Sequence, residues 1–135
     1  MIEYTEAIDG ITPEALRGFF VGWRHPRTPE EHLRILGGSD HVVLAIDDGR
    51  VVGFVTALSD GIQSAFIPLL EVLPEYRGRG IGTELVRRML EKLAPIPCVD
   101  LTCDPEVQPF YARVGMVPSV GMIVREKSEE AKEAS

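Results

Sequence analysis

Three glycines separated by single residues, in Arg77-Gly78-Arg79-Gly80-Ile81-Gly82, divide a nearly continuous apolar run from an amphipathic one. That junction constrains the fold more than any other segment. Before it, Ser64 to Leu73 is apolar apart from Glu71, as expected of a central strand covered on both faces. Proline cannot donate to a ladder, so Pro68 predicts a bulge or irregularity there. After it, Ile81, Leu85, Val86, Met89, Leu90 and Leu93 recur at helical spacing with charged residues between them. Pro95 and Pro97 stop this helix, and Cys98 to Thr102 reads as the next buried strand. Strand, loop, helix and strand make a right-handed crossover. The expected fold class is therefore α/β (α+β), with a mixed sheet and helices on both faces.

The rest of the chain supplies the antiparallel part. Ile2 to Tyr4 predicts a short first strand, and Thr12-Pro13-Glu14 predicts a capped helix running through Phe20. Thr28-Pro29-Glu30-Glu31 starts a second helix that Gly37-Gly38 ends. His41 to Ile46 and Val51 to Leu58 are β-branched, apolar segments joined by Asp47-Asp48-Gly49-Arg50, in which Asp-Gly predicts a tight hairpin. A short helix around Val107 to Val114, closed by Gly115, and a last strand from Met122 to Arg125 complete the expected elements.

With 135 residues, 44% of them hydrophobic, the chain suits one domain, placed at residues 1–125, followed by an acidic tail at 126–135. No apolar run is long enough to span a bilayer and the N-terminus is acidic, so a soluble, cytoplasmic protein without membrane partners is expected. The net charge of −7 disfavours nucleic acid and favours a cationic partner such as an amine. Cys98 and Cys103 have no neighbouring His or Cys to complete a metal site and read as buried or strand thiols.

The glycine loop carries the chemistry. Glycines allow positive φ and close approach of the backbone to a ligand. The unpaired N–H groups and dipole at the helix start near Gly82 and Thr83 suit a pyrophosphate, with Arg77 and Arg79 adding charge. A Gly-Lys-Ser/Thr ending is missing, the spacing is not G-x-G-x-x-G, and no acidic residue ends a second strand about twenty positions later. The usual P-loop and dinucleotide readings are thereby excluded.

Leu70-Glu71-Val72-Leu73-Pro74-Glu75-Tyr76 and the loop after it resemble the Arg/Gln-x-x-Gly-x-Gly/Ala region of the GNAT superfamily of N-acetyltransferases, with Arg77, Gly80 and Gly82 in register. Phe110-Tyr111-Ala112-Arg113-Val114-Gly115-Met116 resembles the family's Phe-Tyr-x-x-x-Gly-Phe block, Met116 replacing its last aromatic. The arrangement also resembles small bacterial and plastid members that include arylalkylamine acetylators. The resemblance implies transfer of an acetyl group from acetyl-CoA to a primary amine, with a small molecule as the leading acceptor, by direct attack in a ternary complex and without a metal. The alternatives are acetylation of a protein N-terminus or lysine, and a coenzyme A-binding regulatory module. A homodimer is compatible with the family.

The same resemblance implies a mostly antiparallel sheet splayed at its bulged central strand beyond Val72, leaving the backbone of Val72 and Leu73 to bond the pantetheine arm as an added strand would. Arg77, Gly78, Arg79, Gly80, Ile81, Gly82 and Thr83 hold or shape the pyrophosphate site, and Asp104 occupies the place of a pantetheine-touching Asn. An ionised Asp accepts but cannot donate, which weakens that contact. Tyr111 is the implied proton donor to the departing thiolate. Glu71 interrupts an apolar strand and is a candidate base, or else an ordinary strand glutamate. Asp60, in a Ser-Asp-Gly turn, and His41, at a strand start, are weaker candidates. Trp23 and His25 either line the acceptor pocket or pack the two N-terminal helices together.

Overall fold

A computed structural model of the chain describes residues 1–125; the expected acidic tail at 126–135 lies outside the described residues. The described residues fall into two compact units, Met1–Leu101 and a second that begins at Thr102. The first contains five strands, β1 (Glu3–Thr5), β2 (His41–Asp47), β3 (Arg50–Ser59), β4 (Ser64–Val72) and β5 (Cys98–Asp100), and two helices, α1 (Pro29–Gly38) and α2 (Ile81–Lys92). The second contains α3 (Gln108–Ala112), entered through a 3-10 turn at Pro105–Val107.

The sheet order is β1-β2-β3-β4-β5. The first three pairings are antiparallel and β4 pairs with β5 in parallel, giving the expected mixed, mostly antiparallel sheet. Asp48 and Gly49 turn the β2–β3 hairpin with φ of 49° and 80°, the two positive values of a twist-matched two-residue turn. The β3–β4 register shifts between Thr56 and Leu58, opposite the stretch Phe66 to Leu69 that contains Pro68. The missing proline donor is the physical cause of that irregularity.

Helical segments cover both faces of β3. A Cβ added to Gly53 would lie 3.1 Å from Leu85 and 3.2 Å from Ile81, so α2 packs directly on the β3 backbone at that point. The next residue, Phe54, faces the other way, with its ring 4.3 Å from that of His32 on α1 and 5.1 Å from that of Phe19. Alternation along a strand produces this two-sided core. Thr28 caps α1 reciprocally with Glu31, as Thr-Pro-Glu-Glu predicts.

Several elements differ from the sequence reading. The helix expected through Phe20 is a 3-10 turn, Pro13–Leu16; positive φ at Gly18 and Phe20 breaks any continuation. Gly37 and Gly38 lie inside α1, which closes at Ser39 through bonds to Leu36 and Ile35 carbonyls. Early β4 is covered on one face only, with Ala65 and Ile67 buried and Ser64, Phe66 and Pro68 exposed. Strand β5 is three residues long with Cys98 and Asp100 exposed, because a single short parallel pairing gives it little cover. Met122–Arg125 forms no strand, since no ladder includes it and its apolar side chains are exposed. Among the described residues no helix is long and apolar enough to cross a membrane.

Candidate functional site

The site begins where β4 loses its second neighbour. Pairing with β5 covers Ser64, Ala65 and Phe66 and goes no further, so the edge opens at Phe66 rather than beyond Val72. On the other side Leu73 N–H donates to the Val52 carbonyl at 2.9 Å, next to the Gly53–Val72 pair. In an antiparallel ladder that bond directs the Val72 N–H and carbonyl away from β3, toward the open edge. The Val72 carbonyl accepts from Arg77 Nε at 3.1 Å. Its N–H is the group the open edge presents. The expectation that Leu73 also offers its backbone is corrected: its N–H is held by Val52, its carbonyl accepts from Tyr76 N–H, and its side chain is buried.

The chain then turns through a 3-10 turn, Pro74–Tyr76, into the glycine loop. Gly78 and Gly80 both have φ of 80°, and a Cβ on either would meet nothing within 4 Å. Left-handed backbone, not crowding, is what requires glycine there. Gly80 is the N-cap of α2 and offers no side-chain cap; the first helical bond runs from Glu84 N–H to its carbonyl. The N–H groups of Ile81, Gly82 and Thr83 therefore precede the intrahelical ladder and form a set of donors at the helix start. Glu84 sits in the same first turn, but Arg87 and Arg88 bond its carboxylate and hold its pKa down to about 2. These cations offset the one anion nearest the helix start.

Glu71 faces the opposite side of the sheet from Val72. Phe20 N–H lies 2.9 and 3.0 Å from its two carboxylate oxygens, and Val21 N–H lies 3.3 Å from one of them. Neither of the two readings of Glu71 as free catalyst or solvated strand residue anticipated this brace. Phe20 has φ of 66°, a conformation costing about 1–2 kcal/mol for a non-glycine residue. A hydrogen bond to a charged acceptor contributes about 1.5–3 kcal/mol, so the carboxylate can offset the strain. The Phe20 ring is buried against His32 and Trp23, both with ring centroids 5.0 Å away. Trp23 itself remains half exposed, and His25 is exposed. Glu71 and Trp23 are thus joined through one residue, Phe20. His32 is fully buried with both ring nitrogens lacking a hydrogen-bond partner, and burial lowers its pKa to about 4.

Asp60 accepts from the backbone of Ile62, Gln63 and Ser64, which accounts for it as a loop brace. His41 begins β2 opposite Ala57. In the second unit, Tyr111 is half-buried and stacks edge-on with Phe110 at 4.9 Å. Burial, then the nearby Cys103, pushes its hydroxyl pKa up. Asp104 is exposed and caps the turn at Pro105–Val107 through its carbonyl, not its side chain. Among the described residues no group of three or more His, Cys, Asp or Glu is placed to hold a metal.

The sequence reading missed Phe20, Arg50 and Tyr76. Arg50 reaches the Arg17 carbonyl at 3.4 Å and Glu75 at 3.9 Å, linking the segment before Phe20 to the segment before the glycine loop. Tyr76 bonds Asp47 in the β2–β3 turn at 2.6 Å. Only the Pro-Glu-Tyr-Arg-Gly string hinted at Tyr76; nothing local marks a phenylalanine for positive φ.

Comparison with known proteins agrees with this geometry. The family model described as Acetyltransferase (GNAT) family matches residues 8–116. An uncharacterized N-acetyltransferase, ycf52, of Pyropia yezoensis is 25% identical over 104 residues, covering 72% of this chain and 59% of its own. Glucosamine 6-phosphate N-acetyltransferase 1 of Oryza sativa subsp. japonica is 31% identical over 118 residues, covering 79% of this chain and 65% of its own. The chain therefore spans less than two thirds of the length of these curated relatives. A crystal structure of a Deinococcus radiodurans R1 protein, itself named only provisionally as an acetyltransferase, superposes with a TM-score of 0.90 at 47% identity, covering 96% of this chain and 92% of its own.

Proposed function

Because the chain belongs to the GNAT acetyltransferase family, we propose that it is an acetyl-CoA-dependent N-acetyltransferase whose acceptor is a primary amine on a small molecule. The observation that carries the reading is the adjacency of two main-chain features, the Val72 N–H at an open strand edge and the donor set at Ile81 to Thr83 behind the left-handed Gly78 and Gly80. A ligand with an extended amide arm joined to a pyrophosphate fits both features at once. Acetyl-CoA supplies the activated acetyl thioester.

The chain's own residues supply binding and proton handling. The amides from Arg79 to Thr83 receive pyrophosphate, with Arg77 and Gly78 shaping the approach. Val72 N–H polarises the thioester carbonyl, a role that needs no side chain. Glu71 takes the proton that the acceptor ammonium must lose. Its carboxylate has about four acceptor directions, and the Phe20 and Val21 bonds leave capacity for a water or the amine. As the amine nitrogen bonds to the carbonyl carbon, the carbon–sulfur bond breaks and, by the family resemblance, Tyr111 protonates the departing sulfur; the proton that the nitrogen sheds in becoming an amide passes through solvent and restores the tyrosine. The raised pKa of Tyr111 keeps it protonated at neutral pH, the state a donor requires. Trp23 and His25 contact the acceptor, for which the net charge of −7 favours a cation. Asp104 contributes an acceptor at most, and the protein acts in the cytoplasm.

Calorimetric titration with acetyl-CoA, followed by thiol release across small amines, peptides with free N-termini and lysine peptides, tests this reading. Binding with release from a small amine supports it. Release only with peptides replaces the acceptor class, and binding with no release from any acceptor points to a regulatory module.

A further inference from the structure

We propose that Tyr76 is a positioning residue for the cofactor loop, holding Arg79 on its ring and being held in turn by Asp47; the proposal rests on the reading that this loop binds coenzyme A. Arg79 lies between Gly78 and Gly80, both left-handed and without surrounding contacts for a side chain. A guanidinium on so permissive a backbone gains its direction from side-chain contacts. Two are present: its carbon lies 4.8 Å from the Tyr76 ring centroid, and Nη2 donates to the Glu75 carbonyl at 3.3 Å. Arginine over an aromatic face is held by the ring quadrupole while its remaining N–H donors keep their outward reach.

The ring is itself fixed at both ends. Its body packs against the core, and its hydroxyl donates to Asp47 Oδ2 at 2.6 Å. Asp47 closes β2 at the tight turn, and its other oxygen lies 3.5 Å from the Met1 ammonium. The chain Asp47, Tyr76, Arg79 therefore ties a rigid hairpin to the one cation set between the two loop glycines. Fixing that side chain before binding removes ordering cost from the bound state.

The test is a double-mutant cycle on coenzyme A affinity, measured by calorimetry with Arg79→Ala, Tyr76→Leu and the pair. Arg79→Ala is expected to weaken binding about tenfold or more, as for loss of a charge-assisted bond. Tyr76→Leu is expected to weaken it about two- to fivefold, as for loss of a cation–π contact. In the Arg79→Ala background Tyr76→Leu should then have no further effect. Tyr76→Phe, which keeps the ring, should retain more affinity than Tyr76→Leu. Additive losses overturn the positioning role, as does equal damage from Phe and Leu. If Tyr76→Leu fails to fold, the cycle is run with Tyr76→Met, which also removes the ring, and additive losses again overturn it. Absence of coenzyme A binding by the unmodified protein sinks the underlying loop reading; normal binding with an inert Arg79→Ala sinks only this proposal.

Discussion

Phe20 and Glu71, fifty-one positions apart, share a forked contact in which one left-handed backbone N–H meets both carboxylate oxygens at 2.9 and 3.0 Å. Glu71→Ala removes the acceptor from this contact and from Val21 N–H. A loss of roughly 1.5–3 kcal/mol is expected in denaturant unfolding. Glu71→Gln keeps an acceptor oxygen and should recover much of that stability, yet turnover should remain low. Equal turnover of Gln and Glu proteins would remove Glu71 from proton transfer while leaving its structural contact intact.

Gly80→Glu should fold, because a Cβ there meets open space, with a backbone cost of about 1–2 kcal/mol. Its carboxylate would stand beside the α2 donor set and repel pyrophosphate. Coenzyme A affinity is expected to fall by at least about tenfold, as for a lost charge-assisted interaction. Unchanged affinity in a calorimetric titration would show that the loop is not the phosphate site.

Tyr111→Phe deletes the hydroxyl and keeps the ring stacked with Phe110. Turnover should drop by about 10²–10⁴-fold, the range for loss of a general acid, with coenzyme A affinity little changed. Normal steady-state turnover would assign the proton to another donor.

His32 gives stability a pH dependence. Its pKa falls from 6.5 to about 4 on folding, so the unfolded chain binds the extra proton between those values. Stability is full above about pH 6.5 and declines as pH falls toward 4, by about 3 kcal/mol at most. His32→Met should flatten that part of the profile. An unaltered pH dependence of the urea midpoint between pH 6.5 and 4 would refute the assignment.

How far these features could be read from sequence depends on whether local or distant residues encode them. The β2–β3 hairpin was legible because Asp48-Gly49 is what a turn with two positive φ values demands. Helix α2 was legible because Ile81, Leu85, Val86 and Met89 repeat with the helical period and bury as that period requires. The glycine loop was legible for the same local reason. The 3-10 turn was not: Leu16, Phe19 and Phe20 satisfy a helical spacing, but their actual order comes from Phe54, His32 and Glu71 elsewhere in the chain. Strand β5 was overextended because apolar composition at Cys98 and Val99 cannot tell how long a partner strand runs. Leu73 was misassigned for a related reason, since which backbone edge a residue presents depends on register, not on residue type.

The open edge of β4 and the amides before the α2 ladder have one further consequence. Both offer peptide groups, which every residue except proline carries. Mutation at Val72, Ile81 or Thr83 alters the wrapping around those groups without erasing them, whereas Gly78 and Gly80 are tied to their φ angles. The segment from Phe20 to His25 divides its work: Phe20 and Val21 hold Glu71 through main-chain N–H groups, whereas Trp23 and His25 present exposed side chains that any substitution replaces. If the proposed function holds, inheritance can keep the half of the reaction served by main-chain groups fixed while the half served by Trp23 and His25 diversifies.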